Sequence, residues 1–262
     1  MICDIIHITK IVSKATTAEA ISGMIEPTQP VAFVLGWSEE TMQFLTVSDE
    51  VVPAIYSLNI KERFQSIQAI LGCGDLPPYY LEFIVTMLAK PCFYVDGNHN
   101  GVEYTAAGEE LHAPRGCVLV EGTSVVYDGL LITGLGGSIR YNNESGAQYT
   151  ETQMLARVWA LAPRLLVNRM RYGRYADILL THAPPLGIHN GPDYPHRGFR
   201  AFLTFMDYFQ PRFLIHGHIH RSYGFSAVTE TRYKQTMVLN TAGYRLLTID
   251  PLKTDQAPSL PT

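Results

Sequence analysis

Charge is scarce in this chain. Only 17% of its 262 residues are Asp, Glu, Lys or Arg, against 47% hydrophobic residues, so much of the sequence is destined for burial. The balance is slightly acidic, with a formal charge of −4. That excludes a broad basic face for extended nucleic acid, although it leaves room for a local site. Cysteine is rare too: Cys3, Cys73, Cys92 and Cys117, with no CxxC pair among them. Their spacing excludes a zinc knuckle. The opening "MICDIIHITK" has no basic segment followed by a long apolar one, so the thiols read as reduced and the protein as cytoplasmic. No apolar run approaches the roughly 18 residues of a membrane span, and there is no internal repeat or low-complexity block.

What is present is a series of short apolar runs. Strands are expected at 42–48, 67–72, 91–97, 116–122, 177–182, 212–217, 235–240 and 244–250, each rich in Val, Ile, Leu, Phe and Tyr. The stretch "SVVYDGLLITG" (124–134) reads as a hairpin turning at Asp128-Gly129. Helical spacing covers 79–90, 150–170 and 198–209, the second opened by a capping-box pattern of Thr150 and Gln153. Strands alternating with helices define an α/β protein with a mixed sheet, one domain over 41–252. Residues 1–40 read as an N-terminal extension with a short helix near 17–25 and a strand near 31–36. Residues 253–262 read as a flexible tail.

The polar residues are concentrated where these strands end. "IHGHIH" (215–220) places His216, His218 and His220 at every second position, just past an apolar strand. Asp49, Asp75, Asn98 with His99, and His182 close four other strands, each with a small residue beside it: Ser48, Gly74, Gly97 and Ala183. One such strand end means little, since a lone histidine is usually a satisfied core or surface residue. Five in order along one chain point to a ligand site. Carboxylate, amide and imidazole donors without thiolate suit Mn²⁺, Fe²⁺ or Zn²⁺.

"GD" at 74–75, "GNH" at 97–99, "TH" at 181–182 and "GHIH" at 217–220 resemble the ordered motifs of the calcineurin-like metallophosphoesterases, over about residues 42–250. The resemblance implies two mixed β-sheets packed as a sandwich flanked by helices. It implies two divalent ions and hydrolysis of a small phosphomonoester or phosphodiester by metal-activated water. Asp75 would be the carboxylate shared by both ions; Asn98, His182 and His218 would complete one metal site; Asp49 and His220 would belong to the other. His99 would bind the substrate phosphate and protonate the leaving oxygen. One motif departs from the family pattern, which is Asp-x-His: here it is Asp49-Glu50-Val51. Valine cannot bind metal, and strand alternation points Glu50 away from Asp49. The first ion is therefore expected to be weak or absent, with Val51 contributing packing only. The alternative is a catalytically silent metal-binding scaffold on the same fold; a nuclease acting on short ends is a third reading.

Other candidates carry bland readings of equal or greater weight. His216 reads as a core residue or a support to the ligands. The stretch 181–198 holds His189, Asp193, His196 and Arg197. It either walls the substrate pocket, with Arg197 clamping phosphate, or is a solvated segment before the next helix. "GLGGSIRYN" (134–142) lacks the ending of a nucleotide loop; its glycines would let the chain pass the metal pocket and bring Arg140 or Tyr141 to substrate. His7 and His112 read as structural. The sequence does not specify an oligomeric state.

Overall fold

The structure is a computed structural model that describes residues 41–99, 103–104, 108, 110–142, 146–220 and 228–250. The expected helix and strand within 1–40, and the tail at 253–262, lie outside the described residues. In chain order the elements are β1 (Met42–Ser48), α1 (Ile60–Phe64), β2 (Ala69–Cys73), α2 (Pro78–Leu88), β3 (Cys92–Val95), β4 (Glu103–Tyr104) and β5 (Glu110–Leu111). There follow β6 (Cys117–Leu119), β7 (Ser124–Tyr127), β8 (Leu130–Leu135), β9 (Ser138–Ile139), β10 (Gln148–Tyr149), α3 (Glu151–Ala160), α4 (Ala162–Tyr172) and β11 (Ile178–Thr181). The last are α5 (Arg200–Phe209), β12 (Phe213–His216), β13 (Glu230–Tyr233), β14 (Thr236–Asn240) and β15 (Gly243–Ile249).

Two mixed sheets result. One runs β15-β1-β2-β3-β6, parallel except for β15; the other runs β13-β14-β12-β11-β8-β7, parallel except for its two edge strands. Their packing explains why the strands read as unbroken apolar runs. On β11, Ile178 and Leu180 enter the core shared with Phe44, Leu71 and Phe93 of the first sheet, while Leu179 enters the core under α3, α4 and α5. On the other side, Leu45, Val47 and Ile70 pack under α1 and α2. Both faces of each sheet are covered, so alternation distributes apolar residues between two cores instead of between core and water. The layers are helix, sheet, sheet, helix.

The hairpin turns where expected: Asp128 and Gly129 both have positive φ (45° and 79°), the requirement of a type I′ turn. The single helix expected over 150–170 is instead two, α3 and α4, broken at Leu161. Pro163 is the cause. Proline has no N–H to continue a helix but fits a helix's first turn, which is where it stands in α4. Elements too short for periodicity to show, α1 and β13 among them, were not expected.

The capping box is formed. Thr150 Oγ1 accepts from the Gln153 N–H (3.2 Å), and Gln153 Oε1 accepts from the Thr150 N–H (2.9 Å). Thr150→Ala should therefore cost about 1 kcal/mol, a fall of roughly 2–4 °C in Tm for a domain of this size. A thermal melt with no measurable shift would mean that α3 is held by packing alone.

Candidate metal centre

The C-terminal ends of β1, β2, β3, β11 and β12 lie together, as they must in two sheets of largely parallel strands. Asp49, Asp75, Asn98, His182 and His218 follow those ends. Close approach is possible because the neighbours are small. A Cβ on Gly97 would collide with the Asp75 carboxylate, and one on Gly217 with Ser48 Oγ and the Asp49 carboxylate. Asp49, Asp75 and His218 themselves adopt positive φ (69°, 53° and 66°). Non-glycine residues are held this way only where the surroundings over-determine them, commonly at functional sites.

One oxygen of Asp75 and one nitrogen each of His182 and His218 lie within 4.8 Å of one another. His182 Nε2 is 3.2 Å from Asp75 Oδ2, 3.0 Å from Asn98 Oδ1 and 3.1 Å from His218 Nδ1. The other polar atom of each residue is already engaged. His182 Nδ1 donates to the Cys73 carbonyl (2.8 Å), His218 Nε2 to the Pro195 carbonyl (3.0 Å), and Asn98 Nδ2 to Tyr141 Oη (3.3 Å). Those bonds fix amide orientation and, in the neutral rings, tautomer, so that His182 Nε2, His218 Nδ1 and Asn98 Oδ1 can present lone pairs to a common space. This is how outer partners orient metal ligands. Four donors without thiolate, facing one another, fit a divalent cation.

The second half of the cluster is looser. The Asp49 carboxylate is fully buried and accepts from the His218 backbone N–H at 2.9 and 3.0 Å, and His220 Nε2 is 3.9 Å from Asp49 Oδ1. Val51 packs with the apolar cluster under α1 and α2, and the Glu50 carboxylate lies beside Gly243.

His99 is exposed, and its backbone N–H donates to Asp75 Oδ1 (2.8 Å). Of the two arginines, Arg140 is engaged by residues other than the cluster's donors. Arg140 is exposed, its guanidinium donating to the Gln148 carbonyl and to Gln153 Oε1; Arg197 is exposed on the loop beyond Pro195. That loop walls the site nonetheless, through Pro195 and through His196, whose ring lies 4.9 Å from that of His218 and whose Nδ1 bonds Asp193 at 2.7 Å. His216 is buried and pairs with His189 (Nε2 to Nδ1, 2.9 Å), which in turn bonds Thr231. His112 is exposed and faces Glu110 at 3.0 Å. The supports from Cys73, Pro195 and Tyr141 were not legible in sequence as partners of ligands, two of them being backbone carbonyls that any residue supplies.

Electrostatics divide the two imidazoles. Burial pulls His182 down, but the Asp75 carboxylate, with help from Asp49 and the Cys73 carbonyl, outweighs it and raises His182 to about 9. Burial pushes Asp75 up, and His182 in turn holds it well below the usual carboxylate range. Burial and the charge on His182 press His218 down to about 3. Burial drives Asp49 above its ordinary value despite His182 and Ser48. Without metal, His182 is thus a cation at neutral pH. A metal needs its neutral Nε2, so ion uptake must displace a proton. Apparent affinity should rise with pH from near neutrality up to about 9 and then level off. Calorimetric titrations in buffers of different ionisation enthalpy will detect the proton; affinity independent of pH over that window would show that ion uptake displaces no proton from His182.

Sandwiched sheets carrying an Asp–Asn–His donor cluster at their strand ends define an α/β protein with a candidate metal centre. Residues 60–222 match the calcineurin-like phosphoesterase family, and the chain belongs to that family. Its domain is that of a metal-dependent hydrolase. Among solved structures, TT1561 of Thermus thermophilus is similar in fold at 16% identity and a TM-score of 0.53, covering 80% of this chain and 99% of that one. A second crystal structure matches at 14% identity, also with a TM-score of 0.53, over 80% of this chain and 95% of the other. No curated protein matches in sequence. Among the described residues no helix is long and apolar enough to cross a membrane.

Proposed function

We propose that this protein hydrolyses a small phosphomonoester or phosphodiester at a dinuclear centre. Asp75 would be shared by the two ions, Asn98, His182 and His218 would hold one, and Asp49 and His220 would hold the other. The observation that supports this most is the convergence of His182 Nε2, His218 Nδ1, Asn98 Oδ1 and Asp75, each with its remaining polar atom committed elsewhere. When bound, two divalent ions such as Mn²⁺, Fe²⁺ or Zn²⁺ supply Lewis-acid charge for the phosphate oxygens and acidify water towards neutral pH. The chain's own part is positioning and proton transfer. Asp75 keeps the imidazole of His182 beside it and fixes the backbone of His99. His99, exposed next to Asn98, binds the phosphate and delivers a proton to the leaving oxygen. No serine or cysteine stands among the cluster's donors, so no covalent intermediate is invoked.

The two ions should differ in affinity. One site has three residues besides the shared Asp75; the other has Asp49 and His220 only, Val51 standing where a further imidazole would be. Titration of the metal-free protein with Mn²⁺ should give two unequal steps, and turnover of aryl phosphomonoesters or phosphodiesters should follow the second. Two equal steps would mean that another group supplies the missing ligand. One ion and no turnover at any Mn²⁺ concentration would favour a silent metal-binding scaffold.

A further inference from the structure

Two of the cysteines meet on the outer face of the first sheet. Cys92 opens β3 and Cys117 opens β6, and they are register partners in the parallel pair. Adjacent strands are about 4.8 Å apart, within the roughly 4.4–6.8 Å that a disulfide spans between Cα atoms. Register partners put their side chains on one face, and here both lie on the α2 side: Cys92 in the cluster under α1 and α2, Cys117 packed against it. The two side chains are near enough for each thiol to shift the ionisation of the other. Access is unequal. β6 is the edge strand and Cys117 is half-buried, whereas Cys92 is buried.

We propose that Cys92 and Cys117 form an oxidation site at which a small hydroperoxide closes a disulfide between β3 and β6. Cys117 is the attacking sulfur: it is the more accessible of the two on the edge strand, and Cys92 beside it draws its thiol below the ordinary value, while Cys117 and burial raise Cys92. Its thiolate attacks one peroxide oxygen, the O–O bond breaks, and the hydroxide released takes up the thiol proton as water. Cys117 is left as a sulfenic acid. Cys92 Sγ then attacks that sulfur, the S–O bond breaks, and a second water leaves. Two thiols lose two electrons and two protons; one hydrogen peroxide becomes two waters. Cys73 makes the contrast. It lies on the inner face, fully buried, with its thiol on the Ile215 carbonyl and pushed up by burial.

Cys92 and Cys117 bracket the segment that carries Asn98 and His99, so the disulfide fastens both ends of that segment to one another. The bond's formation does not depend on the proposed hydrolysis.

The reduced protein should be treated with a few equivalents of hydrogen peroxide, alkylated and digested without reductant. The expected result is one linked peptide pair joining Cys92 to Cys117 in at least half of the protein, lost on adding dithiothreitol and absent from Cys117→Ser. Cys3→Ser should still form the link. Cys92→Ser puts a hydroxyl in a buried position and risks misfolding, so the test rests on the native chain and on the edge-strand variant. Cys117 carried to sulfinic acid without a link would overturn the proposal. So would a link from Cys117 to Cys3, or oxidation of Cys73 before this pair.

Discussion

Asp75→Asn is expected to abolish turnover and to leave the protein unable to retain ions. The substitution is nearly isosteric, and its amide oxygen can still accept from the His99 N–H, now 2.8 Å from Asp75 Oδ1. What disappears is the charge, and in the proposed centre that charge serves both ions at once. Loss of a partner standing behind a ligand typically costs about 10–100-fold in metal affinity or activity; loss of the shared ligand should exceed that range. The charge also holds His182 protonated. Without it burial dominates, and the imidazole of His182 should drop below its ordinary value rather than stand near 9. Steady-state turnover and metal content measured on the same preparation decide the matter. Activity within about tenfold of native would place the shared ligand elsewhere.

His99→Ala should separate chemistry from metal binding. His99 is exposed and approaches the cluster through its backbone only, so alanine keeps the bond to Asp75. Metal content should stay native while the rate falls by about 10²–10⁴-fold, the usual contribution of a general acid. The loss should shrink as the leaving group becomes a better one, because an acidic phenol needs no proton. A series of aryl phosphates of graded leaving-group pKa supplies the measurement. Loss of metal in the variant, or an equal loss for every leaving group, would remove His99 from that role.

Much of the fold was legible because both sheets are covered on both faces. Every strand of the two interiors had to be an apolar run, and such runs stand out against turns such as Asp128-Gly129. Helix boundaries were less legible. Continuous helical spacing from 150 to 170 hides a break whose only sign is Pro163, a residue as suited to the first turn of a new helix as it is unsuited to the interior of an old one. Of the candidate site, the donor types and their order were legible. Arg197, weighed as a phosphate clamp, and Arg140, weighed as a substrate contact, were not separable by sequence from ordinary surface charge, and Arg140 proves to be engaged by Gln148 and Gln153.

The run "IHGHIH" marks the division most sharply. Sequence alone determines that imidazoles recur at every second position past the end of an apolar strand, and alternation by itself would give all three one environment. Tertiary structure separates them. His216 still belongs to β12 and is buried against His189. His218 takes a positive φ of 66°, held there by its backbone bonds to Asp49, and the change of direction turns its ring to His182. The same holds for the lone pairs. The chain specifies that residues 98, 182 and 218 are Asn, His and His. Which atom of each faces the common space is decided by the carbonyls of Cys73 and Pro195 and the hydroxyl of Tyr141. Those partners are distant in sequence, and only the packing of two sheets with their loops brings them within hydrogen-bonding distance of the ligands.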